Sequence, residues 1–172
     1  MNKVILIGYM AVGKSTIAKL LSEKTRVRLI DLDKLIEVKT KRSVSEIFEQ
    51  KGEIYFRKIE HEIFKEYISS SENLIISTGG GTPCYANNHL LLNGENITSI
   101  YLKASIDLIF ERLKFGKGER PLISGLSDEE LKEFIAKHLF DRSFYYNCAT
   151  NKIEVDNKSP ELIVDEILQL LN

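Results

Sequence analysis

An α/β fold built on a parallel sheet is predicted by three observations. Short apolar runs of strand type alternate with longer amphipathic stretches, the pattern of βαβ units. Several of those runs are bounded by Gly, Asn or Asp, as buried strands of parallel sheets commonly are. The 172 residues, 43% of them hydrophobic and 28% charged, supply enough apolar material for one compact domain spanning residues 1–172.

Taken in order, strands are expected at 3–7, 27–30, 74–77, 97–102 and 152–155, which makes a five-stranded sheet. An amphipathic helix at 14–21 follows the first of them. The tetrads Ser43-Val44-Ser45-Glu46 and Ser127-Asp128-Glu129-Glu130 fit the S-x-x-E capping box, so each marks a helix start. Residues 52–60 read as a helix on which Arg57 and Glu60 stand three apart and can pair. Ser159-Pro160 places a cap before a first-turn proline, and the last helix, 161–170, turns most of its apolar positions to the sheet. Residues 115–127 differ, because Gly116, Gly118, Pro121 and Gly125 interrupt a charged stretch with little apolar content. A loop of that length inside a compact domain is expected to work as a mobile lid.

Composition narrows the partners. The 24 Lys+Arg and 25 Asp+Glu leave a formal charge of −1, so no general affinity for nucleic acid or membrane surfaces is expected. No stretch approaches the roughly 20 apolar residues of a membrane helix, and a cytoplasmic location is expected. Cys84 and Cys148 lie far apart without a C-x-x-C pattern and read as two buried, reduced thiols. His61, His89 and His138 lack metal-ligand spacing and are assigned no chemistry.

The strongest motif is Gly8-Tyr9-Met10-Ala11-Val12-Gly13-Lys14-Ser15, which satisfies G-x-x-x-x-G-K-[ST] between a strand and a helix. Loop amides and a helix N-terminus then converge on one anionic point. Glycines let the backbone approach phosphates, Lys14 places charge on the β/γ oxygens, and Ser15 offers a hydroxyl to Mg²⁺. No N/T-K-x-D guanine signature occurs, which favours ATP.

On the acceptor side, Asp31-Leu32-Asp33 puts two carboxylates at the carboxyl edge of the sheet. In extended geometry, residues two apart point the same way, one towards Mg²⁺ and the other towards a substrate hydroxyl proton. A simple N-cap is the competing structural role for these aspartates. Gly79-Gly80-Gly81 after the third strand fill no core and suggest close backbone approach to a ligand.

With these residues in view, the chain resembles the shikimate kinase family along nearly all its length. The ordered matches are the loop at 8–15, Asp31 and Asp33, F-R-x-x-E at Phe56, Arg57 and Glu60, the triple glycine, Arg120-Pro121-Leu122 as a lid motif, and Arg142 followed by Tyr145 or Tyr146. The resemblance implies a P-loop nucleoside-monophosphate-kinase-like, three-layer α/β/α fold with a helical acceptor-binding segment at 32–60 and a lid at 112–126. It implies ATP-dependent phosphorylation of shikimate at the 3-hydroxyl in aromatic amino acid biosynthesis, with Mg²⁺, by a monomer. Asp33, Arg57, Gly79, Gly80, Gly81 and Arg142 would hold shikimate. Gly8, Ala11, Val12, Gly13, Lys14, Ser15 and Thr16 would cradle ATP, with Ser15 and Asp31 around Mg²⁺. Lys14, Asp33 and lid residue Arg120 would carry the catalysis, Glu60 would orient Arg57, and Arg112 or Lys114 would meet the base above loop 155–160.

Two positions depart from the family pattern. Ala11 stands where the family has another glycine, its methyl tolerable if φ stays negative, and the proline usual around Arg142 is replaced, leaving Tyr145 and Tyr146 both as candidates. Other readings stay open: a kinase of gluconate, another polyol acid or a nucleoside monophosphate, or a nucleotide-binding module without catalysis.

Overall fold

The structure, a computed structural model, describes residues 3–115, 123 and 125–171. Among them run five strands: β1 (Lys3–Ile7), β2 (Arg28–Asp31), β3 (Leu74–Ser77), β4 (Ile97–Lys103) and β5 (Asn151–Glu154). All pair in parallel, in the order β2-β3-β1-β4-β5. β1 and β3, at the centre, are buried along their whole length, as their unbroken Val, Leu and Ile runs require.

The helices are α1 (Lys14–Thr25), α2 (Leu32–Thr40), α3 (Val44–Ser69), α4 (Ile106–Lys114), α5 (Asp128–Tyr146) and α6 (Pro160–Leu171). The β1–α1–β2 crossover runs towards one edge of the sheet and β4–α4–β5 towards the other. Right-handed crossovers therefore put α1 and α4 on opposite faces. α6 packs on α1 and α5 on α4, completing three layers. Both capping boxes form, with Ser43 accepting from the Glu46 amide and Ser127 from the Glu130 amide. Ile163, Val164 and Ile167 of α6 are buried, whereas Leu162 faces outward.

The helix expected over 52–60 is present, beginning just after its first residue. Gly52 takes φ 81 and ψ 171, so α3 kinks there and its second half starts afresh after the glycine. Two other expectations are corrected. Asp31 and Asp33 do not share an extended segment, because the strand ends at Asp31, which caps α2, and Asp33 lies in the first helical turn. The two cysteines are half-buried rather than fully buried, and both are free thiols. The expected lid falls mostly outside the described residues, as does Arg120. Of its apolar members, Ile123 is fully buried and Phe115 exposed.

The order of the sheet decides what can meet. β3 lies between β1 and β2, so the loops leaving these three strands emerge side by side at the carboxyl edge. That edge is where open α/β sheets bind ligands.

Candidate active site

The loop after β1 is a nest for phosphate. Gly8 (φ 146) and Gly13 (φ 107) take conformations that other residues rarely adopt, and a Cβ on Gly8 would stand 2.6 Å from the Leu102 carbonyl oxygen. Gly13 is the N-cap of α1 and, being glycine, adds no capping side chain over the first-turn amides. Lys14 Nζ donates to the carbonyls of Gly8 (2.8 Å) and Tyr9 (2.9 Å), so its ammonium is drawn back over the loop. Ser15 and Thr16 are exposed in the first turn of α1. Ala11 has φ 61, so the negative φ that would accommodate its methyl easily is not adopted. The tight turn imposes the left-handed conformation, at a cost of about 1 kcal/mol for a residue with a Cβ.

Arg112, on α4, braces this loop from outside. Its Nη1 donates to the carbonyls of Ala11 (3.1 Å) and Val12 (2.8 Å). Asp156, in the loop after β5, is within electrostatic reach of Arg112, so loop 155–160 and Arg112 share one side of the nest. Lys114 is engaged elsewhere, pairing with Asp128 at 3.1 Å and lying over the Phe110 ring.

The acceptor side is assembled from four distant segments. Arg57 and Arg142 line one cavity of about 510 Å³ together with Phe48, Glu53, Tyr85 and His138. Arg57 is locked in place: Nη1 donates to Glu60 Oε2 at 2.8 Å, and its guanidinium stacks 4.0 Å from the Tyr85 ring centroid. Glu60 is fully buried and also accepts from Thr82 Oγ1 at 2.6 Å, which fixes the carboxylate that fixes the arginine. Arg142 lies over the Tyr9 ring at 5.5 Å, and Tyr9 itself meets His138 Nδ1 at 3.2 Å. The choice between tyrosines falls to Tyr146. It is fully buried, its hydroxyl donates to the Gly80 carbonyl at 2.6 Å, and it hydrogen-bonds Arg142, whereas Tyr145 packs on His89.

The triple glycine joins the two halves. A Cβ on Gly79 would stand 3.2 Å from Asp33 Oδ1 and 3.3 Å from Glu60 Oε1. On Gly80 it would meet the Met10 amide nitrogen at 3.2 Å and Arg142 Nη1 at 3.7 Å, and on Gly81 it would overlap Arg57 Nη2 at 2.6 Å. One backbone strip therefore touches Asp33, the phosphate loop, Arg142 and Arg57 in succession. Asp33 is not a wall of the 510 Å³ cavity but abuts the same strip at Gly79, within electrostatic reach of Lys14.

The electrostatics at Asp33 follow from this crowding. Burial, with the carboxylates of Glu60 and Asp31, pushes its carboxyl up to about 6, against the opposing pull of Lys14 and Arg57. Burial likewise raises the Cys84 thiol to about 11, so this cysteine beside both arginines is an unreactive thiol.

A family model described as Shikimate kinase matches residues 10–172. The chain belongs to the shikimate kinase family. A shikimate kinase of Flavobacterium johnsoniae is 59% identical over 171 residues, 99% of each chain. The crystal structure of the Bacteroides thetaiotaomicron shikimate kinase superposes with a TM-score of 0.90 at 34% identity, covering 99% of this chain and 98% of that one. The Acinetobacter baumannii shikimate kinase in complex with shikimate gives 0.87 at 28% identity, over 99% and 93%. These matches place the protein among the P-loop kinases, with the nucleoside-monophosphate-kinase type of α/β/α sandwich.

Sequence reasoning did not find Phe48, Glu53, Tyr85 and His138 in the cavity. An aromatic or a histidine on a helix carries no spacing signal that separates a pocket wall from core. For Tyr85 a usable signal existed, since it lies four residues past the triple glycine, on a turn bound to follow that loop.

Proposed function

We propose that this member of the shikimate kinase family transfers the γ-phosphoryl group of ATP to the 3-hydroxyl of shikimate, as a cytoplasmic monomer. The observation that carries the reading is the glycine strip at 79–81, against which Asp33, Arg57, Arg142 and the phosphate loop all abut. A compact hydroxy acid seated there would set its carboxylate against two guanidiniums and a hydroxyl against a carboxylate.

In this reading Arg57 and Arg142 bind the substrate carboxylate, and Glu60 holds Arg57 in register. Asp33, with a pKa of about 6, is largely ionised at neutral pH yet basic enough to accept the hydroxyl proton as the oxygen attacks. Lys14 and the loop amides bear the phosphate charge, and transfer then requires mainly alignment and charge stabilisation. Lid 112–126 would bring Arg120 to the phosphates and exclude water. Arg112 is better placed than Lys114 to meet the base, because it already lies over the nest beside loop 155–160.

The donor set fits Mg²⁺. Ser15 and Asp31 offer a hydroxyl and a carboxylate, hard oxygens suited to an ion that takes its remaining ligands from phosphate and water. When bound, Mg²⁺ neutralises phosphate charge.

A coupled ADP-release assay across shikimate, quinate, gluconate and nucleoside monophosphates tests the reading. Shikimate should exceed every other acceptor. Equal turnover of gluconate or a nucleoside monophosphate would reassign the substrate, and ATP binding without transfer to any acceptor would leave only a nucleotide-binding module.

A further inference from the structure

A chain of buried polar groups runs from Arg57 to residues with no place in the mechanism above. Glu60 accepts from Arg57 with one oxygen and from Thr82 Oγ1 with the other, and both Glu60 and Thr82 are fully buried. The Thr82 carbonyl accepts from Asn88 Nδ2 at 2.9 Å, and Asn88 is also fully buried. Asn88 Oδ1 then lies 2.7 Å from His61 Nδ1, one residue past Glu60 on α3. The chain leaves the helix at Glu60 and returns to it at His61, stitching the turn after the triple glycine to the helix that carries Arg57.

The proton positions follow from this connectivity. Asn88 spends its amide donor on the Thr82 carbonyl, so its oxygen faces the histidine, and His61 Nδ1 must carry the hydrogen. Each group thus has one role, and loss of any link leaves a buried polar atom without its partner. Gly81, adjacent to Thr82, is where the Arg57 guanidinium abuts the backbone, so a shift of this turn is passed straight to the arginine.

We infer that His61, Asn88 and Thr82 are positioning residues for acceptor recognition, acting through Glu60 to fix the Arg57 guanidinium. The inference rests on the shikimate reading given above. It separates acceptor affinity from nucleotide handling, because none of the hydrogen bonds that link the chain involves the phosphate loop.

The test uses the full-length protein and exploits the shape of the histidine. Asn at position 61 can place its Nδ2 where His61 Nδ1 stands, whereas Gln places its donor where Nε2 stands. His61→Asn should keep the wild-type KM for shikimate, and His61→Gln should raise it about tenfold, the scale of one lost orienting hydrogen bond. Thr82→Ser should likewise hold KM while Thr82→Val raises it by a similar factor. In each pair kcat and the KM for ATP should stay within about twofold of wild type. Loss of folded protein alone would lower apparent kcat and leave KM unchanged, so the direction of the split identifies the role. Unchanged shikimate KM in His61→Gln and Thr82→Val, or equal effects within each pair, would overturn the inference. Wild-type protein inactive on shikimate would instead overturn the function itself.

Discussion

The phosphate nest and the acceptor pocket, which share the glycine strip, are built in opposite ways. The nest is one contiguous segment, residues 8–16, working mainly through backbone amides and a helix N-terminus, with Lys14 as its one strong side chain. The acceptor side draws Asp33, Arg57, the 79–81 loop and Arg142 from four places in the chain and works through ionised side chains. Phosphate recognition therefore depends on local conformation. Acceptor recognition depends on charges that must be held in burial by other charges: Arg57 by Glu60, Glu60 by Thr82, and Asp33 between carboxylates and Lys14.

The largest effects should come from removing the one charge each side brings to the reaction. Lys14→Met and Asp33→Asn should each lower kcat by at least about 10², measured with saturating ATP and shikimate. Near-normal turnover by Asp33→Asn would reject the proton-accepting role. Arg57→Met should be the costliest change for the fold. It leaves Glu60, fully buried, without its cation, for a loss of about 3 kcal/mol in denaturant unfolding, together with a large rise in shikimate KM.

Asp33→Asn should have the opposite effect on stability. The native carboxyl is raised from 3.8 to about 6, so between those values the folded state binds more protons than the unfolded one. Stability is therefore lost as pH rises from about 4 to 6 and stays lower above, and the amide should restore about 2–3 kcal/mol at pH 8. A variant that loses turnover while gaining stability would mark Asp33 as a strained functional group. By the same titration kcat/KM for shikimate should fall about tenfold per pH unit below about 6, as the base becomes protonated. A profile flat to pH 5 would exclude Asp33 as the base.

The smallest effect tests the nest. Ala11→Gly relieves a left-handed alanine at φ 61 and should stabilise the protein by up to about 1 kcal/mol, with little change on the acceptor side. If it altered shikimate KM as much as ATP KM, the two sites would be coupled through the loop more tightly than their construction suggests.

Legibility in the sequence follows the same division. The strands lie within a residue of their expected places, and both capping boxes form, because hydrophobic period and cap chemistry act over a few neighbouring residues. The kink at Gly52 escaped because helical pattern continues on both sides, and only the backbone reveals φ 81. Extended geometry for Asp31 and Asp33 did not hold, because the helix begins at Leu32, yet Asp33 still reaches the strip, since the first turn of α2 emerges beside β3. Phe48, Tyr85 and His138 carried no periodic mark that sets a cavity wall apart from core.

The alternation of strands and helices and the strand–loop–helix that makes a phosphate nest are written locally, since backbone conformation there answers to residues within one turn. Packing across the fold settled that Tyr146 rather than Tyr145 meets Arg142, that Ala11 is left-handed, and that burial pushes the Asp33 carboxyl up to about 6. Those properties arise from close packing and burial among segments far apart in the chain, and no local pattern encodes the field that distant charges create at one carboxyl.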